Sequence, residues 1–198
     1  MASHITNPLT GRKIQVGGAV YNKLVKDGVI TTTTVTTLPP PTTETVVGFW
    51  KPEGPHGFLG QWYPSPFTID GQAFSCAEQF MMFMKSLAFG DKETALKVLA
   101  TTSPKTMKAL GKQVRGFTDA EWDRIKYEIV IQGNRAKFGQ NPDLKQKLMN
   151  TGNSTLAELS PYDAIWGVGT TSQNQALWKG QNLLGKALMQ VRGELRFT

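Results

Sequence analysis

From residue 76 onward, apolar positions recur mainly at helical spacing, and the polar residues between them supply start and stop signals. Helices are predicted at about 76–89, 92–101 and 104–113. The next runs over about 119–137, where Trp122, Ile125 and Ile129 form an apolar stripe behind the capping pair Thr118 and Glu121. Asn141-Pro142 opens another, with Pro at the first helical position, and Thr151-Gly152 closes it. A last long helix covers 183–191, with Leu184, Leu188 and Val191 facing inward. Upstream, Phe67-Thr68-Ile69 predicts a short strand ending in the turn Asp70-Gly71. The pattern describes an α+β fold, predominantly helical: one compact domain with a few short strands.

The pattern changes before residue 48. Residues 29–47, VITTTTVTTLPPPTTETVV, carry Thr and Pro in place of a core, and predict an extended linker. Thr and Val also favour strands, but three consecutive prolines oppose a ladder. The chain therefore divides into a short basic segment (1–28), the linker (29–47) and the folded domain (48–198), so an extended tail precedes the domain. Segment 1–28 holds Arg12, Lys13, Lys23 and Lys26 against Asp27. It is short for an independent core. It either orders on a nucleic acid or protein, or stays solvated.

Composition narrows the chemistry. The formal net charge of the 198 residues is +7. That balance favours an anionic partner such as a phosphate, a nucleotide or nucleic acid, though it also simply aids solubility. The single Cys76 rules out an intrachain disulfide and points to a reducing, cytoplasmic compartment. A structural thiol is the simpler reading of it, since no histidine lies nearby in sequence. His4, His56 and one Cys do not build a zinc site, so neither metal nor cofactor is expected. Residues 1–30 lack an apolar leader and no run approaches the length of a membrane span, so no membrane partner is expected.

Two segments carry candidate chemistry. Ser160-Pro161-Tyr162-Asp163-Ala164-Ile165-Trp166-Gly167-Val168-Gly169 places a carboxylate and an indole three residues apart in a Pro/Gly-punctuated loop. Such a loop suits a flat, polar ligand. Equally, Asp163 could cap a turn below a buried Trp. In the helix after Ser75, Glu78 and Lys85 project from about the same face. Buried unpaired, they would be costly, so they need a partner, a cleft or solvent. Ser75-x-x-Glu78 also reads as a capping box, and Lys85 as a snorkelling surface lysine. Met81, Met82 and Met84 read as core filler. Trp50, Trp62, Trp122 and Trp178 read as core or rim rather than ligand stackers.

AEQFMMFMKS, WDRIKYEIVIQGNRAKFGQNPDLKQKLMNTGNSTLAELSPYDAIWGVG and WKGQNLLGKALMQVRGELR, in that order, resemble the YbiA-like or NADAR family, named for NAD and ADP-ribose. The resemblance runs from about residue 57 to 196. It includes an opening Phe-Leu-x-x-Trp-x-Pro-Ser-Pro motif and a Gly-x-Asn-x-Leu-Gly closing motif. Many members have Ser-Asn where this chain has Gly60-Gln61, and His where it has Gln79. The resemblance implies hydrolysis of the bond between a ribose carbon and a nitrogen. The substrates it implies are aminopyrimidine ribosyl phosphates of the riboflavin route, or ADP-ribose on guanine in nucleic acid. It points to Glu78, Lys85, Asp163 and Trp166 as site residues, of which Glu78, Asp163 and Lys85 are the candidates for catalysis. Trp166, Trp62, Gln61, Gly60 and Asn182 fall to substrate binding.

Breaking a ribosyl C1–N bond builds positive charge at C1 and negative charge on the departing base, which glycoside hydrolysis meets with paired carboxylates. Asp163 and Glu78 are the candidates: one steadies the oxocarbenium-like centre or activates water, the other holds ribose hydroxyls or moves a proton. Lys85 either neutralises phosphate or attacks the opened sugar as an amine. The alternative function is a binding module that keeps the nucleotide pocket without turnover, with the N-terminal tail binding nucleic acid or protein. That tail (Asn7-Pro8-Leu9-Thr10-Gly11-Arg12-Lys13-Ile14, then Gly17-Gly18, Tyr21 and Leu24) looks like a short adaptor motif of large DNA viruses, without that motif's two cysteines. Its partner is not specified by the sequence.

Overall fold

The computed structural model describes residues 4–7, 9–16, 18–29 and 45–197, which fall into two compact units divided between residues 43 and 44. Most of the segment read as a linker, residues 30–44, lies outside the described residues. In the first unit, β1 (His4–Thr6) pairs antiparallel with β2 (Lys13–Gln15), and α1 (Ala19–Lys26) follows. Asn7 holds the intervening turn: its side chain accepts from Leu9 N and its carbonyl from Gly11 N. Leu24 is the buried apolar residue of α1.

The second unit is built mainly of helices. β3 (Val46–Phe49) pairs parallel with β6 (Thr155–Glu158), Phe49 opposite Glu158. Val46 and Val47, at the end of the Thr/Pro-rich stretch, are thus strand residues. They escape the proline objection because the prolines lie upstream, at 39–41. β4 (Phe67–Ile69) and β5 (Gln72–Phe74) form a hairpin whose turn residues, Asp70 and Gly71, both have positive φ. Asp-Gly is the pair that this turn geometry selects.

The helices are α2 (Ala77–Ala88), α3 (Lys92–Leu99), α4 (Pro104–Gly111), α5 (Asp119–Gln140), α6 (Pro142–Asn150) and α7 (Leu183–Leu195). Each lies within a few residues of the predicted boundaries. Thr118 caps α5 by accepting from Glu121 N. At α6 the Pro signal holds, but Asn141 does not cap. Its amide donates instead to Pro66 O and Lys137 O.

α2 is central, packing on α3, α4 and α5, while α7 packs on α5 and β6. Phe80 of α2, Phe138 of α5, Leu156 of β6 and Leu184 and Leu188 of α7 are sealed together in one core. The core also takes up Met81 and Met82, with Met84 packed against it. Burial of such side chains, at about 1.5–3 kcal/mol each, holds the α2–α5–α7 frame. The site hangs on that frame. Among the described residues no helix is long and apolar enough to cross a membrane.

Candidate active site

The start of α2 differs from the sequence expectation. Cys76 is the N-cap residue and makes no side-chain cap bond. The reach-back comes from Gln79, whose Oε1 accepts from Ser75 N at 2.7 Å and Ser75 Oγ at 3.0 Å. Its amide nitrogen ties to the carbonyls of Val98, Leu99 and Thr101. The helix begins one residue later than the Ser-x-x-Glu spacing assumes, so the capping job falls one residue later too. Glu78 is free of it. The Glu78 N–H donates to Gln61 O, which joins α2 to the opening motif.

Glu78 and Asp163, far apart in sequence, line one cavity of about 620 Å³. Trp166, Trp62 and Lys85 line it as well, and so do Gly60 and Gln61. Asn182 does not. Its side chain is spent inside the protein, donating to Leu156 O at 2.9 Å and accepting from Glu158 N at 3.2 Å. Its φ of 53° lets it end the loop and start α7. Asn is among the few residues that tolerate that conformation and can hydrogen-bond locally within it.

The Ser-Pro loop combines both readings of Asp163. Its Oδ1 accepts from Ile165 N at 3.0 Å and Trp166 N at 2.8 Å, a turn cap, while the same side chain faces the cavity. The loop is pinned on its other side by Asn182 N to Gly167 O and Leu184 N to Trp166 O. Gly167 is required there: a Cβ would sit 2.8 Å from Asp163 O and 2.9 Å from Glu158 O.

The wall formed by Gly60 and Gln61 is braced from α5. The fully buried Lys137 ammonium donates to Gly60 O at 2.8 Å, and Asn134 donates to the Gln61 side chain at 3.0 Å. Burial lowers the Lys137 pKa to about 7. Lys85 lies over the rings of Phe117 (3.9 Å) and Trp122 (5.5 Å), and burial lowers its pKa. Trp122 therefore serves both core and cavity wall. Trp50 lines the mouth, with its ring 6.1 Å from that of Tyr162. Trp178 binds Ser172 O instead. Cys76 is buried, with its thiol pushed up by desolvation and its Sγ 3.8 Å from Met107 Sδ.

Electrostatically the cavity is a set of opposed charges around buried acids. Burial raises the Glu78 carboxyl to about 7, with Lys108 and the Trp62 indole N–H pulling it back. Sequence reasoning missed Glu158 and Lys108, which also line the cavity. In the sequence Glu158 shows only as an acid after the short run Thr155-Leu156-Ala157, and nothing local marks it as a cavity residue. No three His, Cys, Asp or Glu side chains among the described residues are placed to hold a metal ion together.

Comparison with known proteins fixes the lineage. The NADAR domain family matches residues 48–196. The chain belongs to the NADAR family. An N-glycosidase of Acanthamoeba polyphaga mimivirus is 44% identical to this NADAR chain over 151 residues, 71% of this chain and 88% of that protein. A riboflavin biosynthesis protein of Vibrio vulnificus is 32% identical over 153 residues; the match takes 77% of this chain and only 39% of the relative's length. The NMR structure of E. coli YbiA superposes with a TM-score of 0.67 at 25% identity, covering 78% of this chain and 86% of YbiA.

Proposed function

We propose that this NADAR chain is a hydrolase of N-glycosyl compounds that cleaves the ribose C1–N bond of a ribosylated base. One observation carries the reading: Glu78 and Asp163 share a cavity with Trp166 and Lys85. A site that only held an anion would gain nothing from acids facing its ligand. A developing sugar cation gains a great deal.

In this reading Asp163, its orientation fixed by two backbone N–H groups, faces C1 and receives the attacking water. Glu78 holds the ribose hydroxyls. Trp166 and Trp62 flank the base, an arrangement worth roughly 1–3 kcal/mol per stacked base. Lys85 supplies positive charge for the sugar's phosphate. Its placement over two rings keeps the ammonium in a desolvated setting where an anion is attracted strongly.

The riboflavin biosynthesis name of one relative is in keeping with a ribosylaminopyrimidine phosphate as substrate, and the second candidate, ADP-ribosyl-guanine in nucleic acid, is the one that the NADAR resemblance implies. Incubating the protein with each, and following free sugar and free base by mass spectrometry, tests the function. Release from at least one supports it. Intact substrate in both cases, with ligand bound, would instead favour a binding module.

A further inference from the structure

Glu158 is unusual among the acids of this cavity. It ends β6, the strand that the Ser-Pro loop folds back over, and its side chain lines the cavity. Its backbone is fixed on both sides: Glu158 N donates to Asn182 Oδ1 at 3.2 Å, and Glu158 O accepts from Val168 N at 2.9 Å. One carboxyl oxygen, Oε2, is sealed from solvent and has no hydrogen-bond partner. A buried carboxylate without donors is strongly disfavoured, so such a group holds its proton. The charged groups facing it are Asp163 from the loop, Lys108 from α4 and Glu78 from α2.

We propose that Glu158 is the proton donor to the departing base: a carboxylic acid fixed at the strand end, lining the cavity shared by Asp163 and Glu78, and with one oxygen, Oε2, that has no partner within the protein. The proposal rests on the N-glycosidase reading and adds a residue to it. Burial, reinforced by Asp163, raises the carboxyl to about 8, against the pull of Lys108. The group is therefore protonated at neutral pH, the state a general acid needs.

The step balances as follows. The C1–N bond breaks and its electron pair passes to the nitrogen, while the O–H bond of Glu158 breaks and its proton passes to the base. Water adds to C1, forming a C–O bond, and its spare proton goes to Asp163. Product release and proton return to Glu158 restore the site. The sum is one N-glycoside and one water giving one sugar and one free base.

The test uses two leaving groups on the same ribose 5′-phosphate. An aminopyrimidine must be protonated to leave; a pyridinium departs neutral and needs no proton. Glu158→Gln keeps shape and removes the acid. Expected is a fall of about 10²–10⁴ in kcat on the aminopyrimidine, with pyridinium cleavage within about threefold of native. The native enzyme should lose aminopyrimidine turnover as pH rises above about 8, with no such limb on the pyridinium. An equal fall on both substrates in a variant with native melting temperature overturns the proposal. No fall on either also overturns it. Should the variant not fold, the native profiles decide alone, identical profiles overturning the proposal. A native protein that releases sugar from neither compound, nor from ADP-ribosyl-guanine, sinks the N-glycosidase reading itself, a result distinct from all of these.

Discussion

The Gln79 side chain accepts from the Ser75 N–H at 2.7 Å, and this leaves the adjacent Glu78 carboxyl to the cavity. The neighbours divide two jobs that the sequence pattern offered to one residue. Gln79 anchors the start of α2; Glu78 is buried without serving the helix, and its carboxyl rises to about 7.

That rise predicts a pH-dependent stability cost. The Glu78 carboxyl goes from an ordinary 4.5 to about 7 in the fold, so its contribution is full below about 4.5 and is lost as pH rises through about 7. Glu78→Gln should therefore be more stable than native at pH 8, by about 1–3 kcal/mol, with little difference at pH 4.5. Urea denaturation at the two pH values checks this. A Gln variant weakened at pH 8 would mean that the native carboxylate is ionised and paired.

Lys85 separates charge from amine chemistry. Lys85→Arg should keep turnover within about tenfold, while Lys85→Met loses about 10²–10³. Borohydride added during turnover should leave Lys85 unmodified by mass. A reduced sugar adduct at Lys85, with an inert Arg variant, would assign it as a nucleophile.

Asn182 is expected to act on stability. Asn182→Ala removes its bonds to Leu156 and Glu158 and places a Cβ-bearing residue without compensation at φ 53°, costing about 2–4 kcal/mol. Thermal melting of the variant, with the KM of the folded fraction, tests this. An unchanged melting temperature with a raised KM would return Asn182 to the ligand.

The active unit is expected to begin before β3. A chain of residues 45–198 should hydrolyse substrate like the full chain. A chain starting at 48 loses Val46 and Val47, the partners of Thr155 and Leu156 on the strand that carries Glu158. Its melting temperature and turnover should both drop. Equal behaviour of the two truncations would show that the β3–β6 pairing does not support the site.

Much of this was legible where the signal is local. Helix starts at Thr118 and Pro142 and the Asp70-Gly71 turn depend on a few adjacent residues, and the structure has them. The Asp163–Trp166 loop was legible because Pro and Gly leave few other conformations. What escaped depends on partners distant in sequence. The pairing of Val46-Val47 with β6 is parallel and non-local. Glu158 reads as an ordinary polar strand end until the loop and α2 enclose it. Asn182 looks like a ligand-facing amide until Leu156 and Glu158 are seen to occupy both its ends.

The central claim is that Asp163 directs water to a ribose carbon as its bond to nitrogen breaks. Single-turnover sugar release by Asp163→Asn reads this directly. The variant should release sugar at least about 10²-fold more slowly than the native protein while still binding substrate. Release at the native rate from the Asn variant would contradict the account.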